Sequence, residues 1–251
     1  MKRMVILCIL LCMSLSAHAA PVVVAATSWA AAFARAAGAE QVVVIAPENL
    51  QHPADYDPKP TDLLRLQRAD FLVLGGFEGF ANRLREAAAS SAVVVQVHLD
   101  NSPETIRTEV LRLGELFGTQ DAAHAFVQRF EQECAALRSE LRDAMHGKST
   151  RAVAHTFMTT WADFAGLDLL DTYGPGLLQP SDVLRLSSLR PDFVLDNGHM
   201  PGGAPIAEAS QARLVTLINF PGTGMDLLDV FRANARALAE AIRQAPSPRQ
   251  P

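Results

Sequence analysis

The chain has 251 residues, of which 49% are hydrophobic, and its formal net charge is −5. Its basic residues form no cluster, which argues against a nucleic-acid partner. The hydrophobic fraction is sufficient for ordinary packed cores, either in one large domain or in two lobes of about 100 residues each.

The first 19 residues have the pattern of a secretory signal peptide, with the basic start MKRM, the apolar segment VILCILLCMSL and the small-x-small site AHA. The apolar segment is too short for a mature transmembrane helix. A retained anchor is one alternative, and lipoprotein processing at Cys12 is another, although Leu11 stands where that processing needs a small residue. We therefore expect an exported, periplasmic protein that is not inserted in the membrane after signal removal.

Cysteine usage fits that expectation. Cys8 and Cys12 would leave with the signal, so that Cys134 would remain alone. No internal disulfide could then form, even in an oxidising compartment.

Short apolar segments alternate with helical patterns along the rest of the chain. The apolar segments predict strands buried on both faces, at 21–27, 41–46, 70–76, 92–97, 151–156, 167–173, 192–197 and 213–219. Helices are predicted at 28–38, 61–68, 78–89, 157–165, 181–189 and 226–243. This alternation predicts an α/β protein with mainly parallel sheets flanked by helices.

A weak internal repeat relates 59–76 to 179–198, with a two-residue gap. Each copy has a proline as its second residue, then Thr61 or Ser181 as the predicted helix N-cap, and then an aspartate in the first turn. Each copy then leads into a strand that begins Asp-Phe. Chance similarity between two ordinary helix–strand units is the alternative, but we interpret the repeat as a sign of two related lobes.

A long helix is predicted over 121–145, which contains no proline or glycine. Its apolar stripe consists of Phe126, Phe130, Cys134, Leu137, Leu141 and Met145. Such a helix spans about 37 Å and could join two lobes. A coiled-coil dimer is the alternative, but the stripe is short and the polar face irregular, so we expect a monomer. The predicted organisation is a signal peptide (1–19), an N-terminal lobe (20–118), a linking helix (119–147) and a C-terminal lobe (148–251).

Four histidines follow the carboxyl ends of predicted strands, two in each half of the chain. They are His52, His98, His155 and His199. In open α/β sheets this edge forms the ligand crevice, so the four could converge between the lobes. Imidazole suits zinc, which prefers four tetrahedral ligands. Each histidine alone could be a hydrogen-bonded loop residue, but together they predict a metal site.

The remaining polar candidates are less specific. His124 and His146 fit the solvent face and the C-terminus of the long helix. Acidic residues near the strand ends could ligate a metal or accept hydrogen bonds from its ligands, although most also fit caps and turns. They are Asp55, Asp57, Asp100, Asp171, Asp196 and Asp226. Ser102-Pro103 is typical of a helix start.

Three segments carry a family resemblance that covers nearly the whole mature chain. HPADYDPKPTDLLRLQRADFLVLGG resembles the His-x-Tyr-Glu-Pro-x-Pro-Ser-Asp segment of the metal-binding solute-binding proteins of ABC importers, the zinc/manganese cluster of the helical-backbone superfamily. VHLDNSPETI is similar to their second ligand region, and AHTFMTTWADFAGL to their His-Asp-Ala-Phe motif. The first segment inserts Pro53 and Ala54. The second lacks the family's tryptophan and looks more like relatives that bind siderophores or cobalamin.

The resemblance implies two α/β lobes joined by one long helix, with a metal ion bound between them and delivered to an inner-membrane ABC permease. It makes His52, His98 and His155 the first three ligands. The fourth, usually an acid or water in the family, would be His199, with Asp226 as the alternative. Three or four imidazoles favour zinc over manganese, which prefers oxygen ligands. The prediction is a binding protein and not an enzyme.

Two other functions remain as alternatives. A carrier of a metal chelate (siderophore, haem or cobalamin) would need a wider cleft with basic or aromatic walls, and the chain has only two Trp and two Tyr. An exported zinc hydrolase would need three protein ligands, an open water position and a general base. The sequence contains no HExxH and no Gly-x-Ser-x-Gly motif.

Overall fold

Two parallel four-stranded sheets frame the molecule in the computed structural model, which describes residues 20–148 and 150–245. The N-terminal sheet contains β1 (Val22–Ala25), β2 (Gln41–Val44), β3 (Phe71–Leu74) and β4 (Val93–Gln96). The C-terminal sheet contains β5 (Arg151–His155), β6 (Asp168–Tyr173), β7 (Phe193–Asn197) and β8 (Arg213–Leu217). The predicted α/β class with parallel sheets is confirmed. The predicted signal segment 1–19 lies outside the described residues.

Helices cover the sheets of both lobes. Those of the N-terminal lobe are α1 (Ser28–Ala36), α2 (Pro60–Arg65), α3 (Ala81–Ala87) and α4 (Pro103–Phe117). The helix α5 (Gln120–Met145) joins them to α6 (Thr159–Ala165), α7 (Pro180–Ser188), α8 (Ala204–Ser210) and α9 (Leu227–Arg243). Short 3₁₀ helices occupy Pro53–Asp55, Leu66–Arg68 and Thr156–Met158. None of the helices in the described residues combines the length and apolar character that a membrane span requires.

The two sheets share one strand order, β2-β1-β3-β4 in the first and β6-β5-β7-β8 in the second. The repeated segments occupy equivalent places, because α2 leads into β3 and α7 leads into β7. This equivalence explains the internal repeat as two lobes with the same topology.

The predicted N-caps of the repeat are wrong by two residues. Thr61 and Ser181 lie inside α2 and α7, which begin one residue earlier at prolines. The N-caps are Lys59 and Gln179, whose backbone N–H groups donate to Asp62 (3.0 Å) and Asp182 (3.1 Å). Proline is favoured at the first helical position because its missing N–H costs nothing there.

The long helix confirms the stripe seen in the sequence. α5 has 26 residues and is therefore about 39 Å long. Phe126, Phe130, Cys134 and Leu141 are buried in a core that also contains residues of both sheets and of α9. The rings of Phe130 and Phe231 lie 4.9 Å apart. The chain's own helices thus cover the stripe that could have formed a coiled coil.

The four edge strands, β2, β4, β6 and β8, depart from the expected burial on both faces, as β4 illustrates. Val93 and Val94 are 47% and 42% exposed. β4 pairs with β3 alone, so one of its sides carries no neighbouring strand. The apolar residues of β4 therefore predicted correctly that the segment is a strand. They predicted wrongly that this strand lies in the buried interior of the sheet.

Candidate ligand-binding cleft

A cleft of about 610 Å³ lies between the carboxyl edges of the two sheets, where the sequence placed the ligand crevice. Both lobes contribute loops that directly follow strands. The lining residues include Trp29, His52, Asp55, Phe77, Leu99, Asp100 and Asn101 from the first lobe, and Phe157, Asn197, His199, Met200 and Phe220 from the second.

His52 and His199 approach the cleft from opposite lobes. His52 is exposed in the loop after β2, and no hydrogen bond or ion pair of its side chain occurs among the described residues. Burial, and to a smaller extent the nearby His52, together lower the pKa of His199 to about 4. Two of the four predicted ligands therefore meet in one place.

The ring of His199 is held by its own lobe. It stacks on Phe220 with centroids 3.6 Å apart. Its Nδ1 accepts a hydrogen bond from the backbone N–H of Asn219 at 3.4 Å. A neutral imidazole carries one proton, so this bond places the proton on Nε2 and makes Nε2 a donor.

His155 does not line the cleft. It ends β5 and is 2% exposed, with its ring against Tyr173 at 5.5 Å. Its Nδ1 accepts from the backbone N–H of Phe157 at 3.1 Å, and its Nε2 lies against Gly174. Burial lowers the pKa of this imidazole. His155 is therefore packed as a buried core residue, and its side chain does not reach the cleft in this arrangement.

His98 also lies outside the cleft lining. Its side chain is 73% exposed, and its Nε2 lies 3.2 Å from an Oδ2 of Asp100. Asp100 does line the cleft, but its oxygens accept from the backbone N–H of Ser102 (2.7 Å) and the hydroxyl of Thr105 (3.1 Å). The carboxylate of Asp100 is therefore already hydrogen-bonded to the first residues of α4, the helix whose start Ser102-Pro103 predicted.

Most other candidate acids have structural partners. Asp226 caps α9 by accepting from the N–H of Asp229 at 2.8 Å, and Asp196 accepts from the hydroxyl of Tyr173 at 2.7 Å. Asp57 and Asp171 pair with arginines. Asp55 remains in the cleft. Across 20–148 and 150–245, no three His, Cys, Asp or Glu side chains lie close enough together to hold a metal ion.

Aromatic walls are the feature that sequence reasoning missed. Trp29, Phe77, Phe157 and Phe220 all line the cleft, and the rings of Trp29 and Phe220 lie 6.1 Å apart across the two lobes. The sequence argument counted tryptophan and tyrosine only. Each of these phenylalanines follows a strand end by two or three residues, so the rule that located the histidines could have located them.

Unpaired polar atoms are concentrated at the same place. Among the described residues, five buried side-chain atoms lack a hydrogen-bond partner. Three belong to cleft residues, namely Trp29 Nε1, Asn101 Oδ1 and Asn197 Nδ2. Asn101 also donates from Nδ2 to the backbone oxygen of Asn219 at 2.8 Å, which ties the two lobes together at the cleft. Buried polar atoms are rarely left unpaired in native proteins, so these three atoms are candidate contacts for water or for a ligand in the cleft.

No protein-family model and no curated protein matches the chain. Solved structures do match. The solute-binding protein FpvC of P. aeruginosa, in complex with Ni²⁺, is 18% identical with a TM-score of 0.70, over 91% of this chain and 98% of that one. The laminin-binding protein Lmb of Streptococcus agalactiae, a bifunctional protein with adhesin and metal-transporting activity, is 17% identical with a TM-score of 0.68, over 88% and 99%.

A Cd-bound periplasmic metal-binding protein from Candidatus Liberibacter asiaticus is 13% identical with a TM-score of 0.67, over 88% of this chain and 99% of that one. At these identities the likeness shows the fold. The chain has the two-lobe fold of the periplasmic metal-binding solute-binding proteins, as its motifs predicted.

Proposed function

We propose that this chain is a periplasmic solute-binding protein that captures a divalent metal ion, zinc first, in the interlobe cleft and delivers it to an ABC-type importer. The observation that carries the proposal is the meeting of His52 and His199, from opposite lobes, at the carboxyl edges of two parallel sheets. Function in this kind of fold concentrates at that edge.

His52 is the ligand best placed for the metal. Its imidazole is exposed to the cleft and has no hydrogen-bond partner within 20–148 and 150–245 that it would have to give up. His199 would have to release its Nε2 proton or the Asn219 contact before it could ligate. The four-histidine set of the sequence analysis stays a prediction, which requires His98 to leave Asp100 and His155 to turn out of the core.

Zinc is preferred on donor chemistry, because imidazole nitrogen suits zinc better than manganese. The structural neighbours include Ni²⁺-bound, Cd-bound and Mn-bound proteins, so the fold serves several divalent ions. The preferred metal must therefore be determined by comparing the affinities of this protein for zinc and for manganese.

The same fold supports delivery of the bound ion to a permease, as the second part of the proposed binding function. A neighbour with metal-transporting activity supports this part of the proposal. The linking helix α5 shares one continuous core with both lobes, so we expect small lobe movements during capture and release.

Calorimetric titration of the metal-free protein with ZnCl₂ and MnCl₂ tests the proposal. We expect one zinc ion per chain, weaker manganese binding, and at least about tenfold weaker zinc binding in His52→Ala, because the loss of an orienting partner alone already costs about 10- to 100-fold. His124→Ala, on the exposed face of α5, is the matched control. Unchanged zinc affinity in His52→Ala, or tighter manganese binding, would contradict the assignment.

A further inference from the structure

The size and walls of the cleft suit an organic cargo. Its volume of about 610 Å³ lies in the range of about 300–1,000 Å³ that is usual for small organic ligands. Four aromatic rings line it, together with Leu99 and Met200. A bare cation needs a compact shell of charged or polar ligands, and the described residues offer no group of three.

Two of the three unpaired cleft atoms are hydrogen-bond donors, and the third, Asn101 Oδ1, is an acceptor. Trp29 Nε1 and Asn197 Nδ2 are donors without partners, on side chains that are 7% and 0% exposed. His199 presents an Nε2–H, because its Nδ1 already accepts from Asn219. Donors of this kind are satisfied by oxygen acceptors and not by a metal ion.

One of the unpaired donors, Trp29 Nε1, lies on a side chain at the seam between the lobes. Trp29 packs against Phe220 across this seam, and Asn101 donates to Asn219 across it. A slight parting of the lobes would open the covered atoms to a ligand. Water could satisfy the same atoms, but it would gain nothing from the aromatic walls beside them.

We propose that the cleft takes the metal ion together with a small aromatic chelator that carries carboxylate oxygens. His52 reaches the metal, the N–H groups of Trp29, Asn197 and His199 bind the chelator's oxygens, and its ring packs among the phenylalanines. The inference rests on the proposed function, which it narrows from a free ion to a metal complex.

Picolinate, an aromatic pyridine carboxylate, is a suitable probe. Calorimetry would compare ZnCl₂ alone, an equimolar zinc–picolinate mixture, zinc with iminodiacetate (an aliphatic chelator) and picolinate alone. We expect zinc–picolinate to bind at least about tenfold more tightly than zinc alone, since burying an aromatic ring adds several times the free energy of a single CH₂. Iminodiacetate should give no such gain.

Two tryptophan variants make the test specific. Trp29→Phe keeps a ring but removes the N–H, and we expect about three- to tenfold weaker zinc–picolinate binding. Trp161→Phe is the matched control, because Trp161 Nε1 is also buried and unpaired but its ring lies in the core beside Phe231, 4.8 Å away. Equal behaviour of the two variants would overturn the inference.

Two further outcomes separate the inference from the proposed function. If picolinate or iminodiacetate weakens zinc binding as a competitor in solution would, or if both chelators help equally, the aromatic chelate is wrong while metal capture stands. If neither zinc nor its complexes give binding heat, both proposals fail.

Discussion

His199 lies against Phe220 and near His52, and its surroundings disfavour its protonated form. Burial is the main cause and the charge of His52 the second, and together they lower the pKa to about 4 from its ordinary 6.5. Between these two values the unfolded chain binds more protons than the folded one. The stabilising contribution is therefore complete above pH 6.5 and is lost as the pH falls towards 4.

The lowered pKa of His199 predicts how the stability of the protein depends on pH. We expect the unfolding free energy of the protein to fall between a pH of about 7 and about 4.5, with His199 contributing up to about 3 kcal/mol of that loss. Urea unfolding of wild type and His199→Gln at both pH values measures the contribution. The variant should lose less stability on acidification, whereas His124→Gln should follow wild type. Equal losses in all three proteins would show that His199 does not carry the effect.

For the individual histidines, the sequence predicted their places along the chain better than the directions of their side chains. The rule that strand ends form the crevice located His52 and His199 correctly, because the backbone path decides it. It could not show that Asp100 holds His98, or that Gly174 leaves room for the ring of His155 in the core. Those orientations depend on contacts between residues far apart in sequence.

Among the elements, α5 was predicted almost to the residue, because a 26-residue helix with one apolar stripe has a strong period. α8 was missed, since it is short and follows the Pro-Gly-Gly sequence at 201–203, which is typical of a loop. The place of β4 at the sheet edge is a property of topology and not of its own apolar residues.

The stripe of α5 can be tested by one substitution. Phe130 is fully buried and contacts the rings of Phe126 and Phe231. Phe130→Ala should lower the free energy of unfolding by about 3–5 kcal/mol, because it leaves a cavity in the core shared by both lobes. Urea denaturation measures the loss, with His124→Ala on the same helix as control. A loss below about 1 kcal/mol would mean that α5 does not depend on this packing.

For the whole molecule, two lobes of equal strand order meet along one helix and one continuous core. Their sheet edges face a common cleft that contains an accessible imidazole, aromatic rings and unpaired polar atoms. The sequence predicted this architecture through its repeat and its long helix. The width and the aromatic lining of the cleft follow from how the lobes pack, which neither lobe's sequence expresses alone.

Zinc K-edge X-ray absorption of the zinc-loaded protein tests metal capture in the cleft most directly, because imidazole ligands have a recognisable scattering pattern. We expect an imidazole signal in wild type that is lost in His52→Ala and kept in His98→Ala, whose side chain stays with Asp100 outside the cleft lining. An imidazole signal that is unchanged in His52→Ala would place the metal elsewhere and contradict the cleft as its binding site.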